Sequence, residues 1–219
     1  MADILVINPN SSKAVTRSME ACLAPFDGNG HSIRCIELAG APVGIETDDH
    51  VQAVIPLLIA AVERERADAI VVSCFSDPGI SAVRAASRVP VTGIAEAAYL
   101  TALGLGSRFG IVSLGQSSID RHRRYLEKLK IEGRLAGDRS IDMTVAELMA
   151  RDVVQPVTSI GSKLRDEDGA DVVILGCAGL GTYRQALQAK LGLPVVDPVQ
   201  AGVAIACMNA ELAYSGRRT

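Results

Sequence analysis

The chain has no tryptophan, three histidines and five cysteines in 219 residues, and aromatic side chains make up only 3% of it. Each scarcity excludes something. His31, His50 and His122 stand far apart, with no metal-ligand spacing and no Cys-x-x-Cys beside them, so no metal site is expected. An odd number of cysteines without close pairing argues against a disulfide framework and for reduced thiols in a cytoplasmic protein. The formal net charge of −3 offers no electrostatic footprint for nucleic acid or an anionic membrane. The opening residues lack a signal-type pattern, and the most apolar window, residues 53–62, carries Pro56 and is far shorter than the roughly 20 residues a membrane span needs. Gly104-Leu105-Gly106-Ser107 precedes a strand instead of following one, so it is no dinucleotide fingerprint and no cofactor is expected. A small-molecule substrate is the expected partner.

What is present is aliphatic. Hydrophobic residues make up 48% of the chain, and with so few aromatics the core must be built from Ala, Val, Ile and Leu. Parallel sheets covered by helices have that composition. The length suits one large α/β domain or two small ones. Strands are expected at about 3–7, 32–38, 68–73, 89–93, 109–114, 139–142, 171–175 and 194–197, with one long helical region over 145–167 and a carboxyl-terminal helix over 200–214.

Two stretches organise the rest. Val71-Val72-Ser73-Cys74-Phe75-Ser76-Asp77-Pro78-Gly79 and Val173-Ile174-Leu175-Gly176-Cys177-Ala178-Gly179-Leu180-Gly181 each run from a buried-strand pattern into a cysteine and then into turn residues that lead to a helix. Open α/β sheets bind ligands at the carboxyl ends of their strands. A thiol there, beside a helix amino terminus, is expected to have a lowered pKa. Cys22, Cys35 and Cys207 have no such turn and read as core packing.

The two stretches belong to an internal repeat. Ile4-Leu5-Val6-Ile7-Asn8-Pro9-Asn10-Ser11-Ser12 aligns with Gly110-Ile111-Val112-Ser113-Leu114-Gly115-Gln116-Ser117-Ser118. The interval from Ser12 to Cys74 nearly equals that from Ser118 to Cys177, and the intervals Cys74 to Pro90 and Cys177 to Pro194 differ by one position. The fold class expected is therefore α/β, with two pseudo-symmetric parallel-sheet lobes (duplicated flavodoxin-like units) and an active site in the cleft between them. One lobe would cover residues 1–97 plus the carboxyl-terminal helix at about 200–219, the other residues 98–199.

Opposed thiols suit one chemistry in particular. Inverting a carbon acid alpha to a carbonyl needs a base on one face and an acid on the other, and Cys74 and Cys177 on facing lobes would supply both. Backbone N–H groups after each cysteine, with Asn10, Ser76 and Ser113, are candidate donors to the enolate oxygen. The turn at Asn10 and Ser11 carries more polar residues than helix capping requires. Asp77 reads as a cap or turn residue, Glu46 and Glu96 as charges at helix starts, and Arg121, Arg123 and Arg124 as a solvated helix face. Maleate-type isomerisation with a cysteine nucleophile, and a binding module without turnover, are the other readings these residues leave open.

At these residues the sequence resembles the aspartate/glutamate/hydantoin racemase superfamily, and within it the hydantoin and allantoin racemase branch. The matching stretches are Ile7-Asn8-Pro9-Asn10-Ser11-Ser12, Pro42 with Ile45-Glu46, Cys74-Phe75-Ser76-Asp77-Pro78-Gly79, Pro90-Val91 with Gly93-Ile94 and Glu96-Ala97-Ala98, and Leu175-Gly176-Cys177-Ala178-Gly179. The resemblance implies a cofactor-independent two-cysteine racemase or epimerase that assembles as a homo-oligomer. It implies Cys74 and Cys177 as the acid/base pair and Asn10, Ser11, Ser76, Ser113, Ala178 and Gly179 as substrate contacts. Amino-acid racemases of the superfamily follow their first cysteine with Asn-Thr and their second with Thr-His. Phe75-Ser76 and Ala178-Gly179 suit a neutral cyclic imide better, with amino-acid (Asp/Glu) racemisation as the alternative within the superfamily. The decarboxylase branch keeps only the second cysteine. Hydantoin racemases commonly carry Thr-Thr where this chain has Ser113-Leu114.

Overall fold

The aliphatic runs become the centres of two sheets, described over residues 1–215 in a computed structural model. The first sheet contains β1 (Asp3–Asn8), β2 (Ser32–Glu37), β3 (Ala69–Val72) and β4 (Val91–Gly93), ordered β2-β1-β3-β4. The second contains β5 (Phe109–Ser113), β6 (Leu135–Ser140), β7 (Val172–Leu175) and β8 (Val195–Val196), ordered β6-β5-β7-β8. All six pairings are parallel, and β1 and β5 hold equivalent places, as the repeat requires. The shared order is that of the flavodoxin-like sheet, whose ligand crevice opens where the chain reverses its winding. Here that point lies beyond the carboxyl ends of β1 and β3 in one sheet and of β5 and β7 in the other.

Helices cover the sheets: α1 (Lys13–Cys22), α2 (Asp48–Arg64), α3 (Ile80–Ala86), α4 (Ile94–Leu105), α5 (Gln116–Leu129), α6 (Val145–Ala150), α7 (Val154–Asp166), α8 (Arg184–Leu191) and α9 (Pro198–Glu211). The central strands are fully buried and aliphatic: Ile4, Leu5, Val6 and Ile7 in β1 and Val172 to Leu175 in β7 are solvent-inaccessible. α9 folds back onto β3 and β4, while α4 touches β4, β7, β8 and α9, tying the two sheets together. Residues 216–219 of the expected carboxyl-terminal helix lie outside the described residues.

Two elements differ from expectation. β6 occupies Leu135–Ser140, four residues earlier than the sequence pattern places it. Its Ala-Gly-Asp-Arg centre has little strand propensity, and edge pairing with β5 fixes it instead. The long helical region is broken between α6 and α7, because two separate caps claim it. Thr144 and Glu147 form a capping box at the start of α6, and the Asp152 carboxylate accepts the Val154 N–H at 3.0 Å to start α7.

Candidate active site

The β1–α1 turn is held by a small amide network. Asn8 Nδ2 donates to Asn10 Oδ1 at 2.9 Å, and the Ser12 N–H donates to the same oxygen at 2.9 Å. These bonds use the Asn10 carboxamide oxygen, and among the described residues no acceptor meets its Nδ2, so the amide can still donate into the cavity it lines. Ser12 caps α1, accepting from the Val15 N–H.

Cys74 lies two residues beyond the end of β3, after Ser73. Its sulfur lies 3.2 Å from the Ser76 hydroxyl. Asp77 then adopts a positive φ of 42° and turns its buried carboxylate onto the start of α4, accepting from Ala95 N and Glu96 N at 2.9 Å each and from the Tyr125 hydroxyl at 3.1 Å. It is the cap that the sequence reading makes it, and burial pushes its carboxyl up to about 7. In the second lobe Cys177 follows β7 and opens the 3-10 turn Ala178–Tyr183, with the Gly179 N–H donating to its sulfur at 3.5 Å.

Both cysteines, partly exposed, line one cavity of about 50 Å³ between the lobes, together with Asn10, Phe75, Ser76, Leu114, Ala178, Arg121 and His122. Ligand pockets for small molecules usually measure about 300–1,000 Å³. The cavity is narrower than that and must widen to accept a ring. Across the cleft, Glu46 Oε1 in the loop before α2 accepts the Val145 N–H of α6 at 2.8 Å.

Three residues named from the sequence do not border the cavity. Ser11 lies outside it, and Gly179 reaches it only through its bond to Cys177. Ser113 is fully buried, donating to Asp138 and sitting 3.2 Å from His122 Nδ1, which also meets Asp138 Oδ2 at 2.8 Å. Ser113 thus braces the His122–Asp138 pair. Arg121, read from the sequence as solvated, is buried and lines the cavity that holds the thiols; Arg124 does lie at the surface, paired with the exposed Asp48. The sequence did mark the difference. Ser118, Arg121 with His122, Tyr125 and Leu129 fall at helical spacing on the side of α5 that faces the core.

The expected lowering of the thiol pKa values is not found. α3 begins six residues after Cys74, too far for its dipole to act, and the cavity walls are largely apolar. Burial pushes the Cys177 thiol up to about 12 and raises Cys74 as well, with the Ser76 hydroxyl and Arg121 pulling Cys74 back. Charge on Cys74 raises Cys177 further, as adjoining groups must. A thiol whose folded pKa is raised contributes stability below its unfolded value, about 8.5, and loses it as pH climbs toward the folded value. Cys35 shares the direction, pushed up to about 12. The melting temperature should accordingly fall between pH 9 and 12, and at pH 8 iodoacetamide should label Cys177 at least tenfold more slowly in the native protein than in urea. Equal labelling rates would contradict the burial of the Cys177 thiol.

Among the described residues no three His, Cys, Asp or Glu side chains converge as metal ligands, and no helix is long and apolar enough to cross a membrane.

The family described as Asp/Glu/Hydantoin racemase matches residues 4–206. A hydantoin racemase of Paenarthrobacter aurescens is 34% identical over 221 residues, covering 96% of this chain and 92% of that protein. The fold closely follows an allantoin racemase from Klebsiella pneumoniae, with a TM-score of 0.95 at 28% identity over 99% of this chain and 91% of the other. An allantoin racemase from Pseudomonas fluorescens gives 0.93 at 25% identity, covering 98% and 93%. Sequence, sheet order and paired lobes agree: the chain belongs to the Asp/Glu/hydantoin racemase family, on its hydantoin and allantoin racemase branch, and is an isomerase of the racemase type.

Proposed function

We propose that the chain interconverts the enantiomers of 5-substituted hydantoins or of allantoin, with Cys74 and Cys177 as a two-base pair and no cofactor. The observation that carries this reading is the placement of two thiols, one from each copy of the repeat, in the wall of a single cavity. One sulfur, as thiolate, takes the proton from the stereocentre, and the electron pair of the broken C–H bond passes to the adjacent carbonyl oxygen. The other sulfur, as thiol, returns a proton to the opposite face and is left as thiolate. The roles reverse for the other enantiomer. Asn10, Ser76 and Ala178, which line the cavity, serve as substrate contacts, with Gly179 acting through its N–H on the Cys177 sulfur. The small, largely apolar cavity favours a compact neutral ring, and exclusion of water from it strengthens every polar contact the enolate makes. A cytoplasmic location and homo-oligomeric assembly belong to the same reading.

The test uses enantiopure D- and L-5-benzylhydantoin and allantoin in deuterated buffer, followed by circular dichroism and proton NMR. Both hands of at least one compound should lose optical activity while deuterium enters the stereocentre. Rates no faster than in buffer alone for the whole panel would refute the assignment.

A further inference from the structure

The two-thiol scheme carries one negative charge at every stage, first on a sulfur, then on the substrate oxygen, then on the other sulfur. Desolvation makes such a charge costly unless a cation stands nearby. In the wall of the cavity stands Arg121. Its side chain is 8% exposed, although arginine is seldom buried without a partner. Nη1 donates to Ser117 Oγ at 2.6 Å and to the Glu46 carbonyl at 3.2 Å, and Nη2 donates to Ser118 Oγ at 3.0 Å. These neutral acceptors hold the guanidinium in place without cancelling its charge. Asp48 is 3.6 Å away but is 61% exposed on the outer side, where water screens the pair. Of the five guanidinium N–H bonds, Nε–H is buried and has no acceptor. A buried donor left open in this way is uncommon and would be satisfied by an acceptor that arrives with the ligand as the cavity widens.

We propose that Arg121 is the cation of this active site, placed to balance the charge of the Cys74 thiolate and then to donate to the substrate carbonyl oxygen as it becomes an enolate. The inference rests on the two-thiol reading above and adds a residue to it. The groups facing Cys74 agree with the assignment. Cys177 lies beyond β7, Asp77 is committed to capping α4, His122 is engaged by Asp138, and the Glu46 carboxylate is tied to α6 and acts on Cys177, which it raises. Arg121 is the cationic side chain of the cavity wall. It pulls the Cys74 thiol down against the effect of burial.

Two measurements test this on the full-length protein. The first needs no substrate: alkylation of Cys74 by iodoacetamide is followed from pH 6 to 11 by peptide mass mapping in wild type, Arg121→Gln and Arg121→Lys. The Gln variant should shift the ionisation of Cys74 up by at least one pH unit, and the Lys variant should stay within half a unit of wild type. The second is turnover on whichever ring the wild type interconverts. Arg121→Gln should lower kcat/KM about 10²–10³-fold, as loss of a donor to a developing oxyanion does. Arg121→Lys, which keeps the charge but loses the planar fork, should recover only part of it. Coincident alkylation profiles for Gln and wild type, or turnover within threefold, overturn the proposal. If the Gln variant does not fold, the Lys variant decides, because unchanged turnover there removes any role for Nε. If the wild type acts on no ring in the panel, the proposed function falls, and the alkylation profiles still decide whether Arg121 is the cation.

Discussion

Replacing either cavity cysteine with serine should reduce racemisation at least 10³-fold. A hydroxyl of nearly the same shape fills the site, so the loss reports acid/base chemistry and not collapse of the fold. Serine cannot ionise in the accessible pH range, and removal of a positioned proton-transfer group costs about 10²–10⁴-fold at each step it serves. The two single variants should fail differently. With Cys74→Ser, the enantiomer whose proton faces Cys177 can still be deprotonated and can regain a proton on the same face, so it exchanges with deuterated solvent without inverting. Cys177→Ser should show the same behaviour with the opposite hand. Proton NMR of each enantiomer separates the two outcomes. Undiminished racemisation in both variants would remove the cysteines from the mechanism.

Gly176→Ala should be the most damaging substitution outside the reacting groups. A Cβ at this position would lie 2.6 Å from the carbonyl oxygen of Val112, and the same oxygen accepts the Gly176 N–H at 2.8 Å. Backbone cannot swing aside as a side-chain end can, so β7 must move away from β5, and Cys177 is the next residue. Overpacking of this kind costs about 2–3 kcal/mol, which in a chain of this size lowers the melting temperature by roughly 5–10 °C. Activity should fall more than stability at assay temperature, because a displacement of about 1 Å in a reacting group can cost 10²-fold. Thermal melts and turnover on the same preparation check both effects. A variant with wild-type melting and activity would show that the contact between Gly176 and Val112 is not required.

The strands that form the floor of the site were legible because they are continuous aliphatic runs bounded by turn residues, and the two cysteine turns were legible because they recur in matching places. β6 was not, since Ala136, Gly137 and Asp138 carry no strand signature and are held by pairing with β5. The wall of the cavity was only half visible. Asn10, Ser76 and the cysteines lie close in sequence to strands that announce themselves, so local pattern found them. Arg121 and His122 come from the middle of α5, where the only signal is the helical spacing that sets them on the core side while Arg123 and Arg124 face water. The thiol environments were misread for a related reason: helix-dipole arguments depend on how soon the helix begins, and the turn after Cys74 postpones it.

The two sulfurs have different companions, a serine hydroxyl at Cys74 and a peptide N–H at Cys177. Mirror-image reactants have equal free energy in water, so the forward and backward second-order rate constants of any such catalyst must be identical, however lopsided its walls. The mismatch between the lobes can therefore surface only as compensating differences in saturation and maximal velocity for the left- and right-handed forms, the hand that saturates at lower concentration being the one turned over more slowly.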